Sequence, residues 1–438
     1  MMKFSLSTSF AKLTLFTLLA VVLLTAGGRM LAQTGLNADC VWPLCLPGSL
    51  SAAAQLFHRL SAGASAVLML ALLFHAWRTQ RDHRLLLPLT TVTVTLFFAQ
   101  AFVGAILVTR GFPLHLQVMH ALTALAVWVL LCALTLAAGL YARDAVAFPP
   151  LDLRQRLHDF FILTKPVIVL LLLVTTFAGM VAGAKAWPSF SLAFWTLLGG
   201  ALAAGGSGAI NQYIDRDLDK NMQRTARRPL AAGRMTPAEG LSFGLGLSIV
   251  SFYIMAGLVN LLAAFLTLAG ILYYVVLYSM LLKKATVQNI VIGGGAGAIP
   301  PLVGWAAATG TLSLPALILF LIIFMWTPPH FWALAIVRRK DYERAGVPML
   351  PVIRGEAETR KQVLIYTIEL VAVTFLLPLI GYTGTVYLLS AALLGGILLY
   401  YAWRVYKHDG NKVAWSMYRY SSMYLAFLFL ALMVDALI

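Results

Sequence analysis

The chain has 438 residues, 61% hydrophobic and 11% charged, with 32 Lys and Arg against 16 Asp and Glu for a formal charge of +16. So apolar a composition excludes an ordinary soluble globular protein and predicts an all-α polytopic membrane protein with about 13 transmembrane helices. The positive charge calls for no nucleic acid, because it gathers on alternate loops between apolar runs.

Runs long enough to cross a bilayer core of about 30 Å lie at 10–27, 51–77, 85–108 and 117–141. Nine more follow at 166–184, 189–213, 237–258, 260–282, 290–308, 312–336, 363–382, 385–403 and 421–438. With a cytoplasmic N-terminus and alternating spans, only Arg29, Arg59, Arg110 and Lys185 among all Lys and Arg fall outside. The expected location is therefore the cell membrane, with the long basic loops cytoplasmic and the Cys40/Cys45 loop outside. The first run, after Lys3 and Lys12, has the pattern of a span or of a cleaved signal peptide, and cleavage would leave the later spans in place.

In the first four runs, His58 in "FHRL" begins the second and His120 in "MHAL" begins the fourth. Both runs enter from the outer side, so the two imidazoles are expected at similar depth, level with Gln100 and Gly104 on the third. A lone membrane histidine is usually a packed, hydrogen-bonded residue. Two at matched depth on alternate helices of a four-helix unit read as axial ligands of a bound haem. Cys40 and Cys45 lie where an oxidising environment permits a disulfide, whereas Cys132, mid-span, reads as a small core hydrophobe. The stretch "ARDAVAFPPLDLRQRLHDFFILTK" (142–165) has a Pro-Pro pair and mixed charges, and predicts a linker with a short amphipathic helix. The expected domains are 1–145, a linker at 146–164, and 165–438.

In the second module "NQYIDRDLDKNMQRTARRPL" (211–230) is the most polar stretch of the chain. Asn211, Asp215 and Asp219 are spaced i, i+4, i+8, which stacks three oxygen-bearing groups on one face if the helix continues past the membrane. Mg²⁺ prefers oxygen ligands and combines carboxylates with substrate phosphates. Arg224, Arg227 and Arg228 follow in the same loop, and guanidinium groups suit phosphate oxygens. The competing reading is a solvated, salt-bridged loop. Lys283, just past the eighth run, reads as a phosphate contact or a topogenic lysine. Tyr213, Tyr274 and Tyr278 read as aromatic faces for a cation or as an interfacial belt. His330, in "TPPHFW", follows Pro328 and Pro329, expected to break the helix; it would meet a substrate or hydrogen-bond a freed carbonyl. "GGGAG" at 293–297 lies inside a span, where small residues permit close helix packing rather than phosphate binding.

The pattern N-x-x-x-D-x-x-x-D followed by R-T-x-R-R-P-L resembles the first signature of the UbiA-type intramembrane prenyltransferases. With "QNIVIGGGAGAIPPLVGWAA", "FMWTPPHFWALAI" and "DYERAGVPMLPV", the stretch from about residue 160 onward resembles the protoheme IX farnesyltransferases (haem O synthases) of that superfamily. The second acidic motif departs from the wider pattern, reading Asp341 to Ala345, with Glu343 a candidate for the missing acid. The resemblance implies transfer of farnesyl from farnesyl diphosphate to a vinyl group of haem B, then water addition. It implies Mg²⁺ on Asn211, Asp215, Asp219 and Asp341, with the arginines, Lys283, Tyr278 and His330 binding substrate. Residues 1–145, through "DCVWPLC", "HR" and "MHA", resemble one half of haem A synthase, with Gln55 where the catalytic half of that family carries Glu. That implies a cofactor-type haem on His58 and His120, and partners in haem A synthesis or cytochrome oxidase assembly. The rivals are a prenyltransferase for an aromatic quinone precursor and a non-catalytic haem-binding membrane protein.

Overall fold

The computed structural model describes residues 4–33, 50–143 and 152–438; the Cys40/Cys45 loop and part of the linker lie outside them. The described residues form helices only, thirteen of them long and apolar enough to span a membrane. Four spans come first: α1 (Ser9–Gln33), α2 (Leu50–Thr79), α3 (Leu86–Thr109) and α4 (Leu114–Tyr141). The short α5 (Leu153–Leu163) follows, where the linker helix was expected. Next come α6 (Pro166–Ala184), α7 (Phe190–Asp219), α8 (Pro237–Ile254), α9 (Leu261–Leu272), α10 (Asn289–Gly293), α11 (Gly295–Thr309) and α12 (Leu314–Val337). The last are α13 (Arg339–Arg344), α14 (Leu350–Ile353), α15 (Gly355–Thr374), α16 (Leu376–Leu379), α17 (Thr385–Lys407) and α18 (Asn411–Leu437). π-helical turns at Met255–Val259 and Tyr273–Leu282 extend α8 and α9. The final span starts ten residues before the apolar run at 421–438, because Tyr418 and Tyr420 give its polar first turns ring surface that packs on the core.

The chain divides into two compact units, Met1–Phe160 with Met235–Tyr253, and Phe161–Arg234 with Ile254–Ile438. In the first, α1 to α4 close a four-helix ring around Phe10, Met69, Leu72, Leu131 and Leu134, and Ala238 of α8 joins that core. Thr236 and Glu239 form a capping box at the start of α8: Glu239 Oε2 accepts from Thr236 N at 2.6 Å, and Thr236 Oγ1 accepts from Glu239 N at 3.2 Å. The same carboxylate, fully buried, meets Arg81 Nε and Arg156 NH1, each at 3.2 Å. Glu239→Gln keeps the cap but strands two guanidiniums, so it should cost about 3–5 kcal/mol, read as a lower unfolding midpoint of the detergent-solubilised protein.

In the second unit the most buried spans are Asn289–Thr309 and Leu314–Val337. The backbones of α6 and α11 touch: a Cβ on Gly304 would lie 1.9 Å from Thr176 O, and one on Gly179 2.3 Å from Pro301 O. Only small residues permit this approach. Gly293 and Gly295 likewise leave room for side chains, Gly293 lying against the Tyr278 ring and Gly295 against Tyr273. Contrary to expectation, Pro328 and Pro329 do not break α12, which runs unbroken from Leu314 to Val337. The span is 56% buried, and packing against neighbouring helices lets a transmembrane helix tolerate such a pair.

Candidate active site

α7 stays helical to Asp219, so Asn211, Asp215 and Asp219 do share one face, and all three are buried. The opposite face is solvated, and Lys220 pairs with Asp217 there at 3.0 Å. Lys283 Nζ lies 2.5 Å from Asp215 Oδ2, and Arg228 NH1 lies 2.8 Å from Asp219 Oδ2. The π-helical turns place Lys283. Widening the helix lets Ser279 Oγ donate to Tyr274 O, five residues back, while accepting from Asn211 Nδ2 at 3.0 Å. Such π turns recur at functional sites because they re-aim side chains without ending the helix.

Lys165, counted in the sequence only as a topogenic charge, is a member of the cluster. Its Nζ donates to Asn211 Oδ1 at 2.5 Å and to Tyr274 OH at 3.1 Å. Its backbone is left-handed (φ 56°), a strained conformation for a residue with a Cβ. Gln212 Nε2 holds the preceding turn by donating to the carbonyls of Ile162 and Leu163. Burial and the nearby Arg228 lower the Lys165 ammonium to about 7, opposed by Asp215 and Asp219. Because the oxygen of Asn211 is taken by Lys165, its amide nitrogen turns to Asp215 Oδ2 at 2.8 Å. The Asn211 amide thus bridges Lys165 and the Asp215 carboxylate.

Asp215 Oδ1 is buried with no hydrogen-bond partner, an acceptor suited to an oxygen-seeking cation. Lys283 and Arg228 balance the two carboxylates, and Lys165, when protonated, adds an excess that suits a polyanion. Asp341 is 9% exposed and has Arg338 NH1 at 3.8 Å; Glu343 is exposed. No three His, Cys, Asp or Glu side chains converge as a metal-binding group among the described residues. The "AGVPML" stretch packs this second loop onto the first, Tyr342, Val347 and Met349 sharing a cluster with Leu218 and Met222. Burial pushes the Tyr342 phenol up, with Arg224 opposing and Tyr418 and Asp341 adding. Arg224 and Arg227 are exposed, and the Arg227 carbonyl accepts from Arg234. Tyr274 and Tyr278 stack with centroids 5.7 Å apart, while Tyr213 lies under the Arg216 guanidinium.

His330 is buried between the rings of Trp326 and Tyr418, at 4.2 and 4.5 Å, and its Nδ1 is 2.6 Å from Ser421 Oγ. It bonds no carbonyl freed by the prolines. In the first unit His58 lies against Gly28 and His120 against Gly104, where an added Cβ would come within 2.7 and 3.0 Å of the rings. Gly104 thus clears room for an imidazole. The Nδ1 atoms of both histidines and Oε1 of Gln100 are buried without partners, and His58 lines a cavity of ≈ 330 Å³ with Leu23, Gly27 and Phe57.

A long apolar bundle with a paired acid, lysine and arginine cluster at the end of one helix defines an intramembrane transferase for an anionic, lipid-tailed substrate. Residues 172–430 match the UbiA prenyltransferase family, and the chain belongs to that family. Residues 3–132 match a second family, described as cytochrome oxidase assembly protein. A protoheme IX farnesyltransferase of Roseiflexus sp. (strain RS-1) is 44% identical over 418 residues, 91% of this chain and 78% of its own. One from Trichodesmium erythraeum (strain IMS101) is 50% identical over 289 residues, 65% of this chain and 88% of its own. A solved structure of digeranylgeranylglyceryl phosphate synthase, 18% identical, superposes with a TM-score of 0.56 over 65% of this chain and 99% of that one, which shows a shared fold.

Proposed function

We infer that the chain transfers the farnesyl group of farnesyl diphosphate to a vinyl group of haem B, giving haem O and diphosphate. What carries this reading is the buried cluster of Asp215, Asp219, Lys283, Arg228 and Lys165, in a chain alike over 91% of its length to a farnesyltransferase named for that acceptor. The outer vinyl carbon bonds to C1 of farnesyl as the C–O bond to diphosphate breaks. Water adds its oxygen to the neighbouring carbon and loses a proton, leaving a hydroxyethylfarnesyl side chain. Lys283, Arg228 and Lys165 bind the departing anion, with Arg224 and Arg227 at the loop entrance, and the stacked Tyr274 and Tyr278 lie beside the allylic end. Asp215, Asp219 and Asp341 would hold Mg²⁺, with Asn211 setting the Asp215 carboxylate. Bound there, the ion supplies charge neutralisation of the diphosphate.

Membranes expressing the chain should contain a new, more hydrophobic haem. Purified protein given farnesyl diphosphate should modify haem B and ignore 4-hydroxybenzoate; preference for the aromatic acid would make this a quinone-precursor enzyme.

We assign the functional modules as 1–145 and 165–438, joined by 146–164, with the catalytic loops cytoplasmic. The first module is read as a haem carrier with His58 and His120 as axial ligands, acting with proteins of haem A synthesis or cytochrome oxidase assembly. The two orphaned imidazole nitrogens support it. The full chain should show a low-spin, bis-imidazole haem spectrum that His58→Ala or His120→Ala shifts or abolishes. A spectrum indifferent to both would make these histidines structural.

A further inference from the structure

The hydrogen bonds around His330 determine which of its nitrogens carries the proton. Ser421 has one hydroxyl hydrogen, and Ser421 Oγ donates it to the carbonyl of Tyr418 at 2.9 Å. A carbonyl cannot donate in return, so giving that hydrogen to the imidazole would leave two acceptors facing each other. Ser421 Oγ therefore accepts at 2.6 Å from His330 Nδ1–H. Ser421 is itself fixed, because Trp326 Nε1 donates to its carbonyl at 2.8 Å and its side chain is buried. The rings of Trp326 and Tyr418 close both faces of the imidazole, so it cannot turn over to exchange its nitrogens. Nε2 is left with its lone pair and makes no hydrogen bond among the described residues.

This is the arrangement by which proteins prepare a metal-ligating histidine: one ring nitrogen donates to a fixed acceptor, and the other points a lone pair at the metal. A histidine kept only for packing needs no fixed tautomer, and one acting as a proton donor needs a proton on the nitrogen left open. Tyr418, one wall of the clamp, also neighbours Tyr342, which Arg224 of the catalytic loop influences. The prepared imidazole and the arginine loop are thus near one another, with Tyr418 and Tyr342 between them.

We propose that Ser421 is a positioning residue for the acceptor: it locks His330 as the Nδ1–H tautomer, so that Nε2 ligates the iron of the haem to be farnesylated. The proposal rests on haem B being the acceptor. Iron ligation would hold the macrocycle by its centre while a vinyl group at its edge meets the allylic carbon.

The test uses the full chain with added ferrous haem B, reading affinity by titration and the iron–histidine stretch by resonance Raman, on the component that His330→Ala removes. Ser421→Ala should weaken that component about 10- to 100-fold and lower the stretch, since an imidazole that loses its acceptor becomes a weaker donor to iron. Ser421→Thr, which keeps the hydroxyl, should restore both. Should Ser421→Ala not accumulate, Ser421→Cys, with a poorer acceptor, should show the same lowering. Unchanged affinity and stretch in Ser421→Ala or Ser421→Cys would overturn the positioning role. A His330→Ala chain that binds haem as the parent does and still makes haem O would overturn the ligand assignment and leave the acceptor standing. A parent chain that neither binds haem B nor makes haem O would remove the acceptor and this proposal together.

Discussion

Asp215→Asn should lower haem O formation by about 10²- to 10³-fold while the protein accumulates in the membrane as before. The substitution keeps the volume and removes one negative charge from a buried site. Lys283 Nζ, 2.5 Å from the Asp215 carboxylate, then loses its counter-ion, and the acceptor at Oδ1 loses its affinity for a divalent cation. Adding Mg²⁺ should not rescue the variant, because the defect lies in the ligand rather than in occupancy. The measurement is haem O formed per inserted chain across a Mg²⁺ titration. Turnover at the parental rate would remove Asp215 from the diphosphate site.

The second large effect is on folding. Gly304→Val should prevent accumulation of a monodisperse protein, because the first atom of the new side chain would fall 1.9 Å from the backbone oxygen of Thr176. No rotamer relieves a clash at Cβ, so α6 and α11 must separate, and overpacking costs about 1–3 kcal/mol or, for a backbone clash, more. Gly297→Ala is the matched control in the same span: nothing lies within 4 Å of its Cβ position, so its effect should stay within about 0.5 kcal/mol. Size-exclusion profiles of the two solubilised variants against the parent give the comparison. A Gly304→Val protein eluting and melting like the parent would mean that the contact of α6 with α11 does not support the bundle.

The spans and the acidic face were legible because both depend on local spacing. Apolar length gives the helices, and i, i+4, i+8 places Asn211, Asp215 and Asp219 together once α7 continues. Lys165 was not legible. A lysine at the end of a span is already accounted for as a topogenic charge, and its contact with Asn211 crosses 46 residues of chain. The Ser279 and Lys283 register was hidden as well, because a 3.6-residue period says nothing of a π turn. The Pro-Pro pair misled for a different reason. A local rule for breaking helices was overridden by the packing of a largely buried span. His330 was noticed, but its partner Ser421 lies 91 residues away on the last span and could not be read from "TPPHFW".

α8 is covalently an internal segment of the transferase sequence, since Arg234 precedes its unit and Ile254 follows it, yet its body and its Glu239 are buried among residues of the N-terminal unit. Some relatives match only about two thirds of this chain. Returning this chain to that shorter form is therefore not a matter of deleting 1–145 at a neutral joint. Removing Arg81 leaves the Glu239 carboxylate with Arg156 as its remaining guanidinium, and uncovers Ala238 and the Tyr253 hydroxyl that meets Thr123. The fusion behaves as a ratchet: each substitution that improves burial around α8 makes loss of the appended module more damaging. A shorter descendant would need compensating changes on α8 itself, beginning at position 239.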